Sequence, residues 1–129
     1  MSLPLVITNV ENTTQPERIF LHAKEALNLN DYLIYDATFT DEEHQSNKGR
    51  HVYRFPTHLV AKDARIVLEI GPGPRKGNPV DLTVGTTANV KGHRHYWDRK
   101  APIINNTGDK LTLVRIASDN IFTVPAAKK

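Results

Sequence analysis

The 129-residue chain contains no cysteine, which removes disulfides, thiol nucleophiles and thiolate metal sites together. Its stability therefore has to come from packing. The lack of cysteine suits a reducing compartment, yet exported bacterial domains often lack it too, so localisation stays open between a cytoplasmic chain and an exported one whose signal has been removed. Long apolar runs are also missing. No window approaches the roughly 18 consecutive apolar residues of a membrane helix. The opening MSLPLVITNVENTTQPERIF has neither the basic flank nor the long apolar centre of a secretory signal. A soluble chain without a membrane span is expected.

Several catalytic signatures are absent as well. The serines are Ser2, Ser46 and Ser118, and none sits in a Gly-x-Ser-x-Gly elbow. The stretch GPGPRKG has glycines but no Gly-Lys-Ser/Thr ending, and its prolines remove amides a phosphate cradle would use. In TDEEH, Asp41, Glu42, Glu43 and His44 read as a solvated acidic loop rather than as a catalytic carboxylate pair.

What is present suits one small core. Hydrophobic residues make up 39% of the chain and charged residues 24%, enough for a single domain and too little for two. The net charge of +3 is unevenly placed: residues 1–70 hold seven Lys and Arg against ten Asp and Glu, while residues 71–129 hold ten against four. A basic half can serve an anionic polymer, since cationic side chains displace condensed counterions.

Short extended segments recur along the chain. PLVITNV and RIFLHA are rich in β-branched and apolar residues, and DYLIYDATF adds aromatic ones. RHVYRFP alternates, with His51, Tyr53 and Phe55 on one side and Val52 and Arg54 on the other, until Pro56 stops it. ARIVLEI alternates with Ile66, Leu68 and Ile70 on one face. HAKEALNLND, crowded with Asn and Asp at its end, reads as a loop. GPGPRKGNP, seven of whose nine residues are Gly, Pro or Asn, reads as another. A short strand is expected around Leu82 to Val84. At the end, KLTLVRI, the turn ASDN and IFTVPA read as a closing hairpin. Seven to nine short strands without a strong helix predict an all-β, immunoglobulin-like antiparallel β-sandwich.

The order of these segments resembles the lamin tail domain, the immunoglobulin-like module of nuclear lamins and of many bacterial proteins. The resemblance rests on PIINNTGDKLTLVRIASDN, on RHVYRFPTHLVAKDARIVLEI and on ALNLNDYLIYDATFTDEE, and spans about residues 5–124 within a single domain 1–129. Tyr32 or Leu33 stands where the family often has Trp, VAKDA lacks the usual glycine, and ASDN lacks the frequent Asp-Gly. The resemblance implies a noncatalytic module without a cofactor that binds or scaffolds a protein, DNA or another anionic polymer. A dimer through open sheet edges is compatible with such a sandwich.

Two constellations could carry chemistry. In GHRHYWDRK, Arg94, Arg99 and Lys100 surround Tyr96 and Trp97, a pattern that can hold a phosphate chain while stacking on bases or sugars. Arg75 and Lys76 in the Gly-rich loop extend this candidate surface, which spans basic loops 71–79 and 92–100. Against it, a lone tryptophan such as Trp97 is more often packed than presented. Secondly, His93 and His95, two apart, project from one face of a strand and could share a metal ion, with Asp98 near in sequence and His51 or His58 to supply further donors. On that alternative the chain would be a small metal-dependent hydrolase.

Overall fold

The computed structural model describes residues 3–13, 16–37, 51–84, 87–98, 110–118, 120 and 122–125. Ten strands follow in order: β1 Leu5–Glu11, β2 Arg18–Ala23, β3 Leu27–Asn28, β4 Tyr32–Ala37, β5 His51–Arg54, β6 Leu59–Val60, β7 Arg65–Ile70, β8 Asn78–Val84, β9 Thr87–Trp97 and β10 Lys110–Arg115. A single 3₁₀ turn, Leu29–Asp31, separates β3 from β4. Among the described residues there is no α-helix, and no helix long and apolar enough to cross a membrane. The expected all-β sandwich is what the chain forms.

One sheet has five strands in the order β1-β2-β7-β9-β8, a second has three in the order β10-β4-β5, and β3 pairs with β6 in a short ribbon. Register explains the core. Ile19 lies opposite Leu68, Leu21 opposite Ile66, Leu68 beside His95 and Ile70 beside Trp97, so the five-stranded sheet turns a continuous apolar face inward. The smaller sheet answers with Tyr32, Ile34, Tyr53 and Phe55, and all of these apolar residues belong to one buried cluster. Leu111 and Leu113 of β10 pack against it. In β1 the register slips between Ile7 and Asn9, a bulge that keeps Leu5, Ile7 and Val10 all on the core side although their spacing breaks strict alternation.

Three expectations are corrected. The sandwich is not wholly antiparallel, because β7 and β9 run parallel. The chain leaves β7, crosses the end of β9 through residues 71–77, and enters β8 on the far side, where β8 and β9 form a hairpin. Residues 92–97 are strand rather than loop, and Asn78 and Pro79 already belong to β8. Pro79 is tolerated because β8 is an edge strand. Finally, no closing hairpin forms among the described residues. Residues 122–125 are in no strand, Phe122 and Val124 are 78% and 79% exposed, and β10 pairs instead with β4, far upstream.

Smaller polar contacts fix the connections. Asp36, buried at the end of β4, accepts from the His51 backbone N–H at 2.8 Å, and its other carboxylate oxygen lies 3.0 Å from His51 Nδ1. His51 is thereby held on the β4–β5 edge and takes no part in the cluster formed by His58, His93 and His95. In the connection VAKDA, Asp63 takes a positive φ of 69° and its N–H donates to the Ala23 carbonyl at 2.7 Å. An aspartate there does what a glycine would do in a left-handed turn.

Candidate binding cleft and histidine cluster

A cleft of about 460 Å³ opens where the end of β5, the crossing segment 71–77 and the end of β9 meet, lined by Val52, Tyr53, Arg54, Gly73, Arg75, Tyr96, Trp97 and Asp98. Alternation in β5 turns Tyr53 inward and leaves Val52 and Arg54 outward. Arg54 is fastened by its Nε, which donates to the Asn30 carbonyl at 2.9 Å. Arg75 reaches across from the segment, donating through Nη2 to the Arg54 carbonyl at 2.9 Å and placing its guanidinium 5.4 Å from the Tyr53 ring centroid. The Tyr53 hydroxyl is buried without a hydrogen-bond partner, and burial pushes its pKa up to about 12, with Arg75 drawing it back. It stays protonated in the physiological range, a donor rather than a charge.

The segment can cross β9 this closely because of two glycines. A Cβ on Gly73 would lie 2.2–2.3 Å from the ring carbons of Tyr96, and one on Gly77 would lie 2.6 Å from the Arg94 carbonyl oxygen and 2.8 Å from the His95 ring. Gly77 also takes a φ of +78°. One further bond ties the segment to β9, Gly71 N–H donating to the Trp97 carbonyl at 2.9 Å, and another closes a turn within it, Gly77 N–H donating to the Pro74 carbonyl at 3.1 Å.

Of the candidate surface, Arg75, Tyr96 and Trp97 come together at this cleft. Trp97 is 4% exposed and lies 5.8 Å from Tyr53, centroid to centroid, so it is a core residue that offers the cleft only an edge. Arg94 turns to the outer face of the five-stranded sheet, its Nε 3.9 Å from Glu69, which also accepts from Arg18. Lys76 lines a second cleft of about 250 Å³ with His58, Gly77, Asn78, Pro79 and His93. Arg99 and Lys100 lie outside the described residues. Tyr53 and Arg54 were not legible as site residues, and Asp98 was legible only as a neighbour of the histidine pair. Arg54 had one signal, its outward place in an alternating strand, but nothing local shows that β5 borders β9 across the sandwich.

His93 and His95 do share a face of β9, and the fold brings His58 to both. The β3–β6 ribbon places it: the Asn28 side-chain oxygen accepts from the His58 N–H at 3.1 Å, and the Leu29 N–H donates to the His58 carbonyl at 2.9 Å. His58 Nδ1 then lies 2.8 Å from His95 Nε2, and its ring stands edge-on to that of His93 at 4.5 Å. His95 is fully buried against Phe55, at 5.4 Å, and its Nδ1 has no partner. Burial pushes its pKa down to about 4, and repulsion from His58 and His93 when they carry a proton, and from Arg75, pushes the same way. His58 and His93 are lowered too, in both cases chiefly by burial. The three rings thus stay neutral at pH 7. As they stand, no three His, Asp or Glu side chains among the described residues are arranged to hold a metal ion.

Comparison of the chain with protein-family models, with curated proteins and with solved structures gave no match.

Proposed function

We propose that this chain is a lamin-tail-like, immunoglobulin-like binding module, and that the cleft between β5, residues 71–77 and β9 receives an anionic polymer. The observation that carries the reading is the convergence of Arg75, Tyr96 and the Trp97 edge, drawn from two separate stretches of the chain, beside Arg54 and Tyr53. A guanidinium held over an aromatic ring keeps its remaining N–H groups for an anionic oxygen, while the Tyr96 ring and the Trp97 edge in the lining suit the flat part of a nucleotide or sugar. The segments that carry the family resemblance fall on β3 and β4, on β5 to β7 and on β10, strands drawn from all three sheets. Binding rather than turnover is the role this arrangement supports, with DNA the polymer to test first.

The test is DNA binding as a function of salt, for the wild type and an Arg75→Ala, Lys76→Ala variant. Each cation that no longer meets a phosphate should flatten the slope of log K against log salt by about 0.9. The variant should therefore bind more weakly and with a slope shallower by about 0.9 to 1.8. Affinity indifferent to both salt and substitution would overturn the reading.

A further inference from the structure

The histidine cluster sits directly beneath the segment that carries Arg75, and packing connects the two. Gly77 lies against the Nδ1 and Cε1 edge of His95, Gly73 lies on Tyr96, and Arg75 lies over Tyr53, whose ring packs edge-on against Phe55 at 5.0 Å. Phe55 in turn packs edge-on against His95. Cluster and cleft therefore share one packed column of rings and one crossing strap.

The hydrogen bond within the cluster has a defined polarity. One of the two facing nitrogens, His58 Nδ1 or His95 Nε2, must carry the proton and the other a lone pair. If His58 donated, neutral His95 would carry its own hydrogen on Nδ1, an N–H buried against Gly77 with nothing to accept it. If His95 donates, its Nδ1 is a bare acceptor, which is the cheaper group to leave unpaired. The geometry therefore assigns His95 Nε2–H as donor and His58 Nδ1 as acceptor. That lone pair is the one a proton would take. Once it is filled, two N–H groups face each other at 2.8 Å. His95 can then yield only by moving away or by shifting its hydrogen to Nδ1, against Gly77.

We propose that the His58–His95 hydrogen bond is a proton-sensitive latch that holds residues 71–77 across β9, and that a proton taken up by His58 releases this segment and the cleft with it. The charged groups around the latch do not oppose release. Arg75 is positive throughout, His58 and His93 become positive when they take up a proton, and Lys76 lines the neighbouring cleft beside His58 and His93. No anion among these groups would hold the protonated pair together. The regulatory meaning rests on the binding role proposed above, while the latch itself does not.

Hydrogen exchange of the full chain without any polymer tests the latch. The Gly71 and Gly77 amides, bonded to Trp97 and Pro74, are followed at about pH 7.5 and about pH 5.0, on either side of the ordinary histidine range, after correction for the intrinsic pH dependence of exchange. Protection of both should fall at least tenfold at the lower pH. In His58→Gln the side-chain carbonyl still accepts from His95 but takes up no proton, so protection should hold at both pH values. Unchanged protection in the wild type, or an equal loss in His58→Gln, overturns the proposal. A second measurement needs no variant: the imidazole nitrogen spectrum of the wild type should show His95 protonated at Nε2 at the higher pH, and a hydrogen on His95 Nδ1 there overturns it as well. A failure of DNA binding at that pH would sink the binding role and leave these two readouts standing.

Discussion

At the scale of single residues, burial sets the chemistry more than charge pairing does. His95 is the clearest case. Its folded-state pKa of about 4 lies below the ordinary histidine value of 6.5 because the ring is buried, with repulsion from protonated His58 and His93 and from Arg75 adding to the effect. The unfolded chain therefore binds a proton that the folded chain refuses. Stability rises with pH wherever the unfolded state holds more protons, so this contribution is present above about pH 6.5 and is lost as pH falls towards 4. A difference of this size corresponds to on the order of 3 kcal/mol, and lowered values at His58 and His93 act in the same direction. Urea denaturation of the wild type should accordingly show a marked loss of stability between pH 7 and pH 4, and a His95→Phe variant a smaller one. Equal pH dependence in the two would refute the assignment.

At the scale of elements, the strands were legible and their partners were not. β7 was readable down to the residue, since Ile66, Leu68 and Ile70 face the core as their alternation requires. β1 was readable only as a strand, because the bulge between Ile7 and Asn9 breaks its period. The expected closing hairpin failed because adjacency in sequence does not compete with a buried face: Leu111 and Leu113 gain more by lying beside β4, with Leu113 opposite fully buried Ile34, than by pairing with a short segment ending in Pro125. Ile34→Ala should therefore cost about 2–5 kcal/mol. Replacing exposed Phe122 and Val124 together by serine should change stability by no more than about 0.5 kcal/mol. Chemical denaturation of the two variants measures both, and a costly serine pair would restore the hairpin.

At the scale of the whole molecule, the topology is dominated by distant partners: β10 closes on β4, β7 on β2, and β9 on β7 in parallel. Chains of this kind order long loops before their contacts form, so folding in milliseconds to seconds is expected rather than in microseconds. Stopped-flow refolding monitored by Trp97, which moves from solvent to the core, would show it; a submillisecond phase carrying the full amplitude would contradict this topology. The same topology distributes the charge. The acidic first half supplies β1, β2 and β7, while the basic second half supplies β8 and β9 at the other side of the five-stranded sheet.

Composition and period two were sufficient by themselves to make this chain all-β, because a side chain's face in a strand depends only on its own position and the next. They also placed His93 and His95 on one face, but they offered Trp97 to a binding surface, and its burial was left for the fold to decide. Only the folded chain decided that β9 inserts between β7 and β8, that residues 71–77 must therefore cross it, and that Arg75 meets Tyr53 and His58 meets His95 there. Those pairings depend on which buried faces fit one another across the sandwich, a property of the three-dimensional core that no local stretch of sequence contains.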